Sequence, residues 1–239
     1  MLKFFVDEVD GSEVTITGLD ARHIGLSLRM QVGDPLTVSA YGIDYACQIT
    51  SITPKEVRLT VLSSLPSVAE SSISVTLYQA VPKADKLVHI IQKAVELGAV
   101  RIVPILTQNC ISRPNAVDFD RKLFRLQKIA KVAAKQSGRG IIPQVTKLIT
   151  IDEMCKELQL NSCNLLLYEN GGKHFSEISL EGKTDISVIV GSEGGFTQDE
   201  AQQIQEAGAE RIWLGNRILH CETAPVTALS VLMHMTGNL

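Results

Sequence analysis

The residues best placed to do chemistry lie in two short segments. VGSEGGFTQDE, residues 190–200, closes an apolar run at Gly191, turns through Gly194 and Gly195, and carries Glu193 inside the turn. LGNRILHCETAP, residues 214–225, closes another apolar run at Gly215 and gathers Arg217, His220, Glu222 and Thr223 within seven residues. Glycines allow tight turns and close approach of a ligand to the backbone. An arginine, a histidine and a carboxylate so close together could position a substrate, stabilise an anion or move a proton. Phosphate chemistry suits the first turn poorly. Its spacing is G-x-x-G-G rather than a P-loop or GxGxxG, no Lys or Arg occurs in 184–210, and Glu193 would repel a pyrophosphate. A ligand with hydroxyls, an amino group or a cationic centre suits Glu193 better; a tight structural turn with a solvated glutamate accounts for this segment alone equally well. In the second segment Ile218 and Leu219 could wall an apolar pocket. The plainer alternative is an ordinary loop with a surface Arg217–Glu222 pair.

Such turns gain meaning from the elements that carry them. ISVTLYQAV and RIVPIL read as strands, NLLLYE, ISVIVG and RIWLG are apolar runs too continuous for a half-exposed sheet, and all of them alternate with helical periodicity at 84–98 and 119–138. That pattern predicts an α/β domain over 73–239 with a parallel sheet, whose ligands bind at the carboxyl ends of the strands. Thr197 and Glu200 form a capping box that starts a helix, Gly208 ends it, and Thr223 is the expected N-cap of the last helix, with Pro225 in its first turn. Residues 1–68 read differently: VTITG, PLTVSA, YACQIT and VRLTVL are short alternating strands with one helix near 20–30, capped by Asp20, which suggests a small β-barrel. The Ser- and Pro-rich stretch 63–72 is the expected linker.

Bulk properties narrow the field. Five cysteines without a CxxC pair favour reduced thiols and a cytoplasmic setting, and the five histidines form no metal-ligand spacing, so no metal is expected. No signal peptide is read at the N-terminus, and no apolar run approaches the roughly 18 residues of a membrane helix. The net charge of −3 is unevenly spread: residues 71–150 carry 13 basic and 4 acidic side chains, a local +9. On the helix at 119–138, Arg121, Arg125, Lys128, Lys135 and Arg139 fall within an arc of roughly 80°. A solvated face usually mixes signs, whereas 121–139 contains no acid, so a polyanion, RNA before DNA, is the expected partner.

VGSEGGFTxxE followed by LGNRILxxETAPxxAL resembles the C-terminal signature of the RsmE family, the bacterial 16S rRNA uridine-N3 methyltransferases of the SPOUT superfamily. ARHIGLSLRM, IIQKAVELG and KIAKVAAKQSGR agree in order, so the resemblance spans nearly the whole chain. It implies an N-terminal PUA-like β-barrel and a SPOUT α/β domain with a deep trefoil knot, an exception to the rule against threaded chains. It further implies S-adenosylmethionine bound by Leu167, Tyr168, Glu169, Gly191, Glu193, Gly194, Gly195, Leu214, Gly215, Ile218 and Leu219, with Leu214, Ile218 and Leu219 around the adenine and Glu193 compatible with the sulfonium.

By the same resemblance the reaction methylates N3 of a uridine in helix 44, in the decoding region of the small ribosomal subunit, by a cytoplasmic homodimer. Arg217 is the expected anion stabiliser, with Glu222 orienting it or assisting proton removal; His220 is either base or cation. Arg22 and Arg29 join the basic helix as expected RNA contacts. Two positions depart from the family pattern: Ser192 stands where the family has proline, and His220 where it usually has arginine. The alternatives are a SPOUT enzyme acting on tRNA and a non-catalytic RNA-binding assembly protein of the same fold.

Overall fold

The computed structural model describes residues 3–239. The chain forms two compact units, residues 1–70 with 134–142, and residues 71–133 with 143–239.

The first unit is a five-stranded sheet of β1 (Lys3–Phe5), β2 (Glu13–Thr17), β3 (Pro35–Ala40), β4 (Ile43–Ile52) and β5 (Glu56–Pro66), in the order β1-β3-β4-β5-β2. The β1–β3 pair is parallel and the others antiparallel. Alternation sends Val14, Ile16, Leu36, Val38, Ile49, Val57 and Leu59 into one core with Phe4 and Ile24. Helix α1 (Gly18–Arg22) follows β2 directly and runs on into a π-turn at His23–Ser27. Its N-cap is Thr17, so Asp20 lies in the first turn instead of capping it, and its carboxylate accepts from Lys135 at 2.7 Å.

Two expectations change here. Residues 63–66 are strand, not linker: Ser63 to Pro66 pair with Ala46 to Ile43. Since β2 pairs with β5 only as far as Thr60, this end of β5 is a sheet edge, where serine and proline are tolerated. In addition, residues 134–142 belong to this unit. Lys3 donates to the Gly138 carbonyl at 2.7 Å and to Asp44 at 2.8 Å. Glu70 accepts from the Arg139 guanidinium at 2.7 Å and from the Gly140 amide at 2.7 Å.

The second unit is built on a sheet of seven strands, all parallel: β6 (Ser74–Ala80), β7 (Arg101–Leu106), β8 (Gln144–Val145), β9 (Ile149–Thr150), β10 (Cys163–Leu167), β11 (Asp185–Val190) and β12 (Ala209–Ile212). The order is β12-β10-β11-β6-β7-β8, with β9 also on β7. Helices α2 (Lys86–Glu96), α3 (Ala116–Ser137), α4 (Ile151–Leu158), α5 (Gln198–Glu206) and α6 (Thr223–Met235) complete an α/β architecture. Ile186 through Val190 are all buried, as a strand covered on both faces requires. β12 begins two residues before the RIWLG run and stops at Ile212, which pairs with Leu167; beyond that pair the chains separate into loops. Among the described residues no helix is long and apolar enough to cross a membrane.

Candidate active site

Chain order explains why three loops converge. The connection from β11 through α5 places β12 on the far side of β10, so the ends of β12, β10 and β11 lie side by side. Between them is a cleft of about 610 Å³, lined by Leu167–Glu169, Val190–Phe196 and Ile212–Cys221 together with Ala224. Every expected cofactor-binding residue borders it, as do Arg217 and His220; Glu222 does not.

The glycine turn is held from three directions. Gln79, buried on β6, donates to the Gly191 carbonyl at 3.1 Å. Asn109, in the loop after β7, donates to the Gly194 carbonyl at 2.8 Å. Thr197 and Glu200 form the capping box, and the second oxygen of Glu200 accepts from the Gln108 amide at 2.7 Å. Side chains cannot replace hydrogens here: a Cβ on Gly191 would lie 2.9 Å from the Gly195 Cα, and one on Gly195, at φ +61°, would lie 2.7 Å from Glu169 Oε1. Ser192 is buried and donates its hydroxyl to the Asn109 carbonyl at 3.2 Å, which ties the turn to the neighbouring loop.

The second loop is differently made. Helix α6 starts at Thr223 with Glu222 at the N-cap, so Thr223 is not its cap; the Thr223 and Ala224 amides both donate to the His220 carbonyl, at 2.8 and 2.9 Å. Arg217 and His220 are exposed at the mouth of the cleft, and Ile218, expected around the adenine, is 87% exposed. Trp213, overlooked although it lies in the RIWLG run, lines the cleft and packs edge-on against His174 with ring centroids 4.9 Å apart. Arg211 stacks 4.8 Å over the Tyr168 ring.

The charged centre differs from the expected Arg217–Glu222 pair. Lys86, the first residue of α2, lies 3.1 Å from Glu193 and 3.1 Å from Glu222, and so joins the two loops. Glu193 also accepts from the Lys83 amide at 3.1 and 3.2 Å. Burial alone would raise the Glu222 carboxyl, but hydrogen bonds from the Cys221 thiol (3.2 Å) and Lys86 outweigh it and bring its pKa down to about 2. Glu193 moves the same way: burial opposes ionisation, while its own amide, Lys86 and the Lys83 amide favour it. The Cys221 thiol is pushed up to about 12, first by burial and then by Glu222. Only the position of Lys86 could have drawn attention to it, since a lysine in a first helical turn opposes the helix dipole.

The expected RNA-binding residues fall into two groups. Arg22 and Arg29 are exposed in the first unit, and Arg121, Arg125 and Lys128 in the second. Lys135 and Arg139 are committed elsewhere: Lys135 to Asp20, and Arg139, 2% exposed, to Glu70. Helical periodicity sees only neighbours on the same helix, and both acids come from distant parts of the chain.

Comparison with known proteins agrees with this geometry. An RNA methyltransferase domain family matches residues 69–233. The ribosomal RNA small subunit methyltransferase E of Bacillus subtilis (strain 168) is 32% identical over 230 residues, covering 93% of this chain and 90% of its own. The crystal structure of a ribosomal RNA small subunit methyltransferase E from Neisseria gonorrhoeae, bound to S-adenosyl methionine, superposes with a TM-score of 0.88 at 29% identity, covering 98% of both chains. A putative methyltransferase from Legionella pneumophila in complex with the same cofactor gives 0.86 at 27% identity, covering 98% of this chain and 97% of its own. The chain belongs to the ribosomal RNA small subunit methyltransferase E family.

Proposed function

We propose that this chain transfers a methyl group from S-adenosylmethionine to N3 of one uridine in 16S rRNA, in helix 44 of the small ribosomal subunit. The observation that carries the reading is the cleft of about 610 Å³ at the ends of β10, β11 and β12, walled by three loops that include the glycine turn. Its volume and mixed lining fit a nucleoside carrying an amino acid. Leu167, Tyr168, Glu169, Gly191, Gly194, Gly195, Leu214, Gly215, Ile218 and Leu219 hold the cofactor, which supplies an electrophilic methyl group. Glu193 contributes charge through its pair with Lys86.

Uridine N3 carries a proton and becomes a good nucleophile only when that proton leaves. Arg217 is exposed at the cleft mouth and makes no hydrogen bond or ion pair among the described residues, so its guanidinium is available to steady the uracil anion. Glu222 is a poor base, because Lys86 and Cys221 hold its pKa at about 2. His220, at the same mouth, takes the proton. Glu222 acts through Lys86, fixing the two loops. The uridine reaches the cleft unpaired or displaced from its helix.

The first unit serves as a PUA-like barrel that grips RNA, with Arg22 and Arg29 among its contacts, and Arg121, Arg125 and Lys128 extend the surface from α3. The second unit is a SPOUT domain with a trefoil knot, working as a cytoplasmic homodimer. The test is mass-spectrometric mapping of methylated uridines in 16S rRNA from cells lacking the chain. One N3-methyluridine should vanish, return with wild type and stay absent with Arg217→Ala. An unchanged map would sink the rRNA assignment and turn attention to tRNA.

A further inference from the structure

On α3, Phe124 is 70% exposed, with Val117 at 64% and Val132 at 61% on the same face. A large apolar ring on an outward helix face has no packing role, and nothing in the capping or periodicity of α3 requires it. Its neighbours are mostly cations. At about 100° per residue, Arg121, Lys128 and Lys131 share its face with one acid, Asp120, and Arg125 lies at the edge of that face. The Lys128 ammonium lies 4.4 Å from the ring centroid. Arg121 is paired with Asp118 across one turn, at 3.3 Å with both side chains more than half exposed, a contact that screens little of its charge. From residue 121 to 139 the helix has no acid.

We propose that this face is a subsite for unpaired RNA, in which Phe124 stacks on one base while Arg125 and Lys128 hold the flanking phosphates. The inference rests on the RNA-methyltransferase reading. Charge complementarity chooses the occupant: a second copy of this chain docking on the same face would bring basic clusters together, whereas a phosphate backbone neutralises them. The ring chooses the form of RNA. A side chain fixed on a helix cannot enter the deep, narrow groove of an A-form duplex, but it offers a π-face to any unstacked base.

The test measures fluorescence anisotropy of the full chain with a labelled oligouridylate and with an RNA duplex of equal length, across a salt series. Phe124→Ala should weaken oligouridylate binding about 10-fold, leave duplex binding unchanged and keep the salt slope. Phe124→Trp should restore it. Arg125→Ala should weaken both ligands and lower the salt slope by about 1. Unchanged oligouridylate affinity in Phe124→Ala would overturn the proposal, as would equal loss on both ligands. A sedimentation coefficient altered by Phe124→Ala would also overturn it, assigning the face to contact between copies. S-adenosylmethionine affinity reports folding of each variant. Wild-type rRNA methylation is measured in parallel; its absence would refute the functional reading, while the oligouridylate result would still decide the stack.

Discussion

Lys86 is the residue on which the charge balance of the cleft turns. It lies between Glu193 and Glu222, each at 3.1 Å, so a neutral replacement leaves two carboxylates facing each other. Lys86→Met should loosen both loops, weaken S-adenosylmethionine binding several-fold and raise the Glu222 pKa, the last visible by carboxyl NMR titration. The pH dependence has a definite sign. Glu222 has a folded pKa of about 2 against an ordinary 4.5, so its pairing stabilises the fold above 4.5 and is lost as pH falls towards 2. The difference in melting temperature between wild type and Lys86→Met should therefore shrink across that window. Catalysis tells the bases apart differently. With His220 as base, His220→Gln should lower the methylation rate far more than Glu222→Gln; with Glu222 as base, the order would reverse. Glu193 draws notice from the sequence because it lies inside a glycine turn, and Glu222 because it falls in the polar segment after Gly215. Lys86 does not, because its partners are more than 100 residues away and no local pattern links a helix start to two distant loops.

Among the elements, those that announce themselves are the long ones with one dominant periodicity. β10 and β11 are plain as continuous apolar runs, β6 as a strand-like stretch, and the T-x-x-E box marks the start of α5. β8 and β9, two residues each, carry too little sequence to show any period. The glycine turn was visible as a turn, but what fixes it was hidden: Gln79 and Asn109 are ordinary polar residues until the fold brings them to Gly191 and Gly194. Two substitutions probe this assembly. Gly195→Ala forces a side chain into left-handed backbone beside Glu169 and should cost about 1–2 kcal/mol, with a larger loss of cofactor affinity. Glu200→Ala removes the capping box and the partner of the Gln108 amide together, and should lower stability by about 2 kcal/mol in denaturant titration.

At the scale of the whole molecule, the boundary between units does not follow chain order. The segment 134–142 returns to the first unit, and the pair that secures it is the buried Arg139–Glu70 bridge. Removing one partner of such a pair strands a charge, so Glu70→Ala should destabilise the protein by about 3–5 kcal/mol, whereas Arg125→Ala should leave stability nearly unchanged. That contrast also separates buried, paired cations from exposed ones, which the helical stripe alone merges. The returning segment has a consequence for synthesis. A nascent chain that has emerged only to Glu70 holds every strand of the first sheet, yet Lys3, Asp20 and Glu70 still await Gly138, Lys135 and Arg139. Domains usually fold one after another as they leave the ribosome. Here the N-terminal unit is completed only after much of the catalytic unit's first half has appeared. A fragment ending at Glu70 should stay largely unprotected in hydrogen exchange, and the two halves of the enzyme should mature as one cooperative event.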